Sequence, residues 1–223
     1  MRSHEILPEE IIDEFSDTDP GIIDHLENKG YEYIAAGVDQ TAFLEPDGET
    51  VLKIFGTQDN AKAPKKKTDK PVFSADHMMF FRWAEYCNDH SSNPFLPKFS
   101  GFESFYWNGQ VYLQIRQELM YPIETMLGYM LADMVNYTAA GDSFDEILDE
   151  ISDEYNVVFQ NLKEQVGMPG LKLLYKTIVE VDDISNKQGW TQDLHGDNFL
   201  SRTTDGRTPV IVDPWVVPDT SYR

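Results

Sequence analysis

The rhythm of apolar and polar positions changes near the middle of the chain. In the first half, short apolar runs alternate with turn residues. Segments 31–37, 41–44 and 50–55 read as strands, the last two joined across Pro46-Asp47-Gly48. Segments 102–107 and 110–117 flank Asn108-Gly109, a pair suited to a tight hairpin. Helical spacing is predicted for a short acidic segment, 8–15, and again from Asp19-Pro20 to near Gly30. There an N-cap carboxylate precedes a proline in the first turn. A further helix runs from Ser74 to Cys87 and ends before Asn93-Pro94.

After Tyr121-Pro122 the pattern turns helical, with predicted helices at 123–139, 144–165 and 171–187. Gly141-Asp142-Ser143 and Gly167-Met168-Pro169-Gly170 punctuate them. A strand pair, 198–200 and 208–212, closes the pattern around Thr204-Asp205-Gly206. The expected class is α+β. An N-terminal lobe, residues 1–120, holds an antiparallel sheet with helices, and a mainly helical lobe spans 121–223.

Composition narrows the function classes. The 223 residues are 41% hydrophobic and 13% aromatic, enough for a packed core. Lys and Arg number 18 against 39 Asp and Glu, a net charge of −21. Such a surface repels phosphates, so broad nucleic-acid or anionic-membrane contact is not expected. No apolar run approaches a bilayer span. The single cysteine, Cys87, permits no intrachain disulfide and fits a reducing, cytoplasmic compartment. The run Lys65-Lys66-Lys67 sits in a polar segment, 57–70, and reads either as a solvated loop or as a phosphate contact.

The chemistry concentrates near the end of the chain, in Asp193-Leu194-His195-Gly196-Asp197-Asn198. Asn198 lies five positions after Asp193, and Asp213 follows the apolar run Val210-Ile211-Val212. Upstream, Val51-Leu52-Lys53-Ile54 sets one lysine inside an apolar strand, after the turn Gly37-Val38-Asp39-Gln40-Thr41. Taken in this order, the motifs resemble those of the protein-kinase-like superfamily, which includes protein kinases and aminoglycoside-type phosphotransferases. The likeness is a series of ordered motifs over residues 31–215, and Asp-Leu-His is closer to the aminoglycoside-type branch.

The resemblance implies a two-lobed fold, ATP and Mg²⁺, and a role for each matching residue. Lys53 would meet the α- and β-phosphates, beneath a turn that carries Gly37. Glu85 would hold that lysine, although Asp76 lies in the same region. Asn198 and Asp213 would bind the metal, and Asp193 would orient the acceptor hydroxyl and take its proton. The adenine edge would meet the carbonyl of Glu118 and the amide of Met120. His195 either hydrogen-bonds the transferring phosphate or shapes the loop. Asp197 reads as a loop cap.

The chain also departs from that pattern. The phosphate-covering turn has one glycine, and Thr191-Gln192 stands where protein kinases have His-Arg. Ten residues follow Asp213, so the expectation is a minimal kinase with a reduced C-terminal lobe, which a partner or second copy could complete. The phosphate acceptor, a protein or a small molecule, is not identified by any motif. A nucleotide- or partner-binding pseudokinase and a nucleotidyl transferase stay open beside the kinase. A two-metal hydrolase built on Asp193, His195 and Asp197 ranks last, because the other four histidines lie in the first half without ligand spacing.

Overall fold

The computed structural model describes residues 19–36, 40–56 and 75–216. The helix expected at 8–15, Gly37 and the lysine run 65–67 lie outside the described residues. The chain forms two compact units. One comprises residues up to Met78 together with Phe99–Leu119, the other Met79–Lys98 together with the residues from Met120 on.

Among the described residues the first unit begins with α1 (Pro20–Glu27), where the Asp19 carboxylate accepts the Gly21 amide at 2.8 Å. Five strands follow: β1 (Glu32–Ala36), β2 (Gln40–Leu44), β3 (Thr50–Phe55), β4 (Phe99–Trp107) and β5 (Gln110–Glu118). They form one antiparallel sheet in the order β1-β2-β3-β5-β4. The most apolar strands take the central places. Leu52 and Ile54 of β3 and Tyr112 of β5 are buried with Phe43 of β2 and Ile22 of α1. Edge strand β4 is mostly exposed and irregular between Ser100 and Glu103.

The second unit includes α2 (Ala75–Asp89) from Met79 on, α3 (Thr125–Ala140), α4 (Phe144–Glu154) and α5 (Asn156–Gln188). Leu127, Leu131 and Met134 of α3, Ile147 and Ile151 of α4, and Leu174, Ile178 and Val181 of α5 are all buried. Ser143 and Glu146 form a reciprocal capping box at the start of α4. The helix expected at 144–165 is divided at Tyr155, which leaves helical geometry (φ −114, ψ 32) and donates its hydroxyl to Asp133 of α3. The expected helix at 171–187 is part of α5, which is broken at Gly167 (φ 67, ψ 171). Only glycine adopts that backbone conformation readily. Among the described residues no helix is long and apolar enough to cross a membrane.

Residues 79–98 belong with the second unit, whereas the sequence pattern assigns them to an N-terminal lobe of 1–120. The reason is a set of polar ties. The Phe95 carbonyl accepts from the Ile211 amide at 2.9 Å, and Asn93 Nδ2 donates to Thr177 Oγ1 at 2.8 Å. The Arg202 guanidinium donates to the carbonyls of Pro94 and Leu96.

Candidate functional site

Two short ladders in the second unit frame the Asp193 loop. Before the loop, β7 (Thr191–Gln192) pairs antiparallel with β10 (Trp215–Val216), Gln192 opposite Trp215. After it, β8 (Phe199–Ser201) pairs antiparallel with β9 (Pro209–Ile211), Phe199 opposite Ile211. The chain leaves β9, passes Asp213 and enters β10, so both ladders end beside that residue. Two backbone bonds complete the frame. The Asp193 amide donates to the Pro214 carbonyl at 2.8 Å, and the Val212 amide donates to the Asn198 carbonyl at 2.8 Å. Burial of Phe199, Val210, Ile211 and Val212 anchors these strands. Asp193, Asn198 and Asp213 are thereby brought to one end of the paired strands.

Inside the loop, residues Gly196–Asn198 make one 3-10 turn. Asn198 Nδ2 donates to the Asp193 carbonyl and stands 3.3 Å from Asp193 Oδ2. With the nitrogen committed in this way, Oδ1 is the side chain's acceptor atom. His195 lies between two carboxylates, with Nε2 3.8 Å from Asp193 Oδ1 and Nδ1 3.7 Å from Asp197 Oδ2. The Asp197 amide also donates to His195 Nδ1, at 3.3 Å. The imidazole is thus part of the loop's internal hydrogen bonding.

Asp213 has φ 50, one of two non-glycine residues with positive φ among those described. That conformation costs about 1–3 kcal/mol and persists only where the surroundings enforce it. Asn198 Oδ1 and the Asp213 carboxylate are hard oxygen donors, the kind Mg²⁺ takes together with phosphate oxygens and water. Among the described residues no group of three or more His, Cys, Asp or Glu is placed to hold a metal ion. Two such donors would leave most of a Mg²⁺ coordination shell to waters or other oxygen ligands.

The remaining predicted residues are distributed over both units. Lys53 is half-buried on β3, between buried Leu52 and Ile54, with Ala42 and Ile115 opposite it. Glu118 ends β5 opposite Thr50, and the next residue, Leu119, donates its amide to the Glu49 carbonyl at 2.8 Å. Met120 begins the stretch of chain that belongs to the second unit. Glu85 is exposed on α2, and its carboxylate pairs with Arg82 at 3.0 Å. Gly37 lies outside the described residues.

Sequence reasoning missed two features. A cavity of about 460 Å³ opens beside the loop, walled by Ile123, Thr125 and Gly128 on one side and Gly196, Asp197 and Leu200 on the other. Among the described residues no lysine, arginine or histidine lines it. The second is a cluster of three tryptophans behind Asp213. Trp215 is buried, its ring centroid 5.3 Å from that of Trp83 and 5.2 Å from that of Trp190. The proximity of Trp215 to Asp213 in sequence was the one available signal.

No family model, characterised protein or solved structure matches the chain.

Proposed function

We propose that the protein is an ATP- and Mg²⁺-dependent phosphotransferase of the protein-kinase-like kind, acting on a hydroxyl of a protein or small molecule. One observation carries this reading. Asp193, Asn198 and Asp213 meet at the ends of two ladders joined by the Asp193–Pro214 and Val212–Asn198 backbone bonds. A base for the acceptor proton and two oxygen donors for a metal are what phosphoryl transfer asks of a protein at this point. The sheet order β1-β2-β3-β5-β4, with one lysine on its central strand, supports the same reading.

In this proposal Asp193 orients the acceptor hydroxyl and accepts its proton as the oxygen bonds to the γ-phosphorus. The bond from that phosphorus to the β–γ bridging oxygen breaks, and ADP leaves. Lys53 neutralises charge on the α- and β-phosphates, and His195 holds the loop on which Asp193 sits. Asn198 and Asp213 would hold Mg²⁺, which supplies neutralisation of the phosphate charge.

The test is mass spectrometry and nucleotide analysis after incubation with ATP and Mg²⁺. The expected result is Mg²⁺-dependent formation of ADP, with the phosphoryl group passed to the protein's own hydroxyls or to water, reduced about 10²–10⁴-fold in Asp193→Ala. Release of pyrophosphate with a mass gain of AMP would replace this reading with nucleotidyl transfer. Nucleotide binding without turnover would replace it with a binding module.

A further inference from the structure

The left-handed backbone of Asp213 (φ 50) needs a restraint, and the structure offers one two residues away. The indole N–H of Trp215 donates to the Val181 carbonyl of α5 at 3.0 Å, a buried bond. Its ring is 3% exposed. Trp83 of α2 meets that ring edge-on (interplanar angle 80°), and Trp190 meets it tilted at 45°. The Trp215 backbone is fixed as well, since Trp215 pairs with Gln192 in the β7–β10 ladder. Gln192 precedes Asp193, whose amide bonds to the Pro214 carbonyl. The segment 213–215 is thus held at its far end by one hydrogen bond, two aromatic contacts and a strand pairing. At its near end stands Asp213, whose backbone lies in the left-handed region.

We propose that Trp215 is the positioning residue of the Asp213 turn. By fastening the turn to α5 and to Trp83, it keeps the Asp213 carboxylate where a metal–nucleotide can use it. This rests on the reading of Asp213 as a metal ligand. Trp215 itself touches neither metal nor nucleotide; it acts through the backbone of residues 213 and 214. Trp83 extends the restraint, because it also stacks on Tyr86, whose hydroxyl donates to Glu180 of α5 at 2.9 Å. The tryptophans therefore tie α2, α5 and the Asp213 turn into one packed set.

The experiment is calorimetric titration of Mg²⁺ into the protein with saturating ADP, beside titration of ADP without metal. It uses the full chain, Trp215→Phe and Asp213→Asn. Trp215→Phe keeps an aromatic ring and removes the bond to Val181. The expected result is an Mg²⁺ affinity reduced about 10–100-fold, the usual effect of losing an outer-shell support. Metal-free ADP affinity and the cooperativity of the thermal melt stay as in the parent. An unchanged Mg²⁺ affinity in Trp215→Phe, while Asp213→Asn loses it, overturns the positioning role alone. An unchanged Mg²⁺ affinity in Asp213→Asn overturns the metal-site reading, and the positioning role with it. Should Trp215→Phe not melt cooperatively, Trp190→Phe, which weakens one of the two ring contacts, decides between the same outcomes. Its expected effect is a smaller loss in the same direction, and no loss overturns the proposal.

Discussion

Asn198 carries two duties with one side chain. Its nitrogen is engaged by the Asp193 carbonyl and faces the Asp193 carboxylate, and in the proposed function its oxygen would be a metal donor. Replacing it with alanine removes both. Asn198→Ala is expected to lower Mg²⁺-dependent ATP turnover about 10–100-fold through lost metal support. Additional Mg²⁺ should restore only part of that loss, because the Asp193 loop also loses its internal tie. Steady-state turnover against Mg²⁺ concentration checks this, and full recovery at high Mg²⁺ would confine Asn198 to the metal. At this scale the sequence was informative for a physical reason. Asp193 and Asn198 sit within one loop, so a local hydrogen bond sets their separation. Trp215 was not legible, because its partners, Val181, Trp83 and Trp190, come from distant parts of the chain. Glu85 was read as a lysine partner from its place on a helix, but its side chain is exposed and beside Arg82.

Helices and strands were legible where their signals were local. Asp19-Pro20 opens α1, Asn108-Gly109 turns between β4 and β5, and Ser143 opens α4. The break at Tyr155 was not, because tyrosine is an ordinary helix residue and the contact at the break, with Asp133, is tertiary. The two-residue strands β6 (Tyr121–Pro122), β7 and β10 are too short for any period to register. The α4 cap gives the clearest prediction at this scale. The Ser143 hydroxyl donates to Glu146 Oε2 at 2.6 Å and the Ser143 amide to the same oxygen at 2.9 Å. These bonds hold the Glu146 carboxyl below the usual carboxylate range. A depressed carboxylate contributes stability that is present above its ordinary pKa and is lost as pH falls through the lowered value. Ser143→Ala should cost about 1 kcal/mol near neutral pH, the usual price of a lost N-cap. The gap between variant and parent should narrow in acid, where Glu146 is protonated. Thermal melts at both pH values check this, and a gap that widens in acid would contradict it.

For the whole molecule, the sequence pattern anticipated an α+β chain with an antiparallel sheet, and the structure has both. The grouping of residues 79–98 with the second unit was not legible, because the ties from Phe95, Asn93, Pro94 and Leu96 to Ile211, Thr177 and Arg202 link positions about a hundred residues apart. A net charge of −21 gives the protein an unfavourable general field for a nucleotide, so binding must rest on few positive groups. In the proposed function, that places unusual weight on Lys53 and on a metal that Asn198 and Asp213 would hold. The most direct test is therefore Mg²⁺–ATP affinity in Lys53→Ala, Asp213→Asn and the double variant. If these residues serve one triphosphate, each single change weakens binding, and the double variant departs from the sum by about 0.5–3 kcal/mol, the range for coupled groups. Losses that simply add, or ATP affinity indifferent to Lys53→Ala, would contradict phosphoryl transfer by these residues.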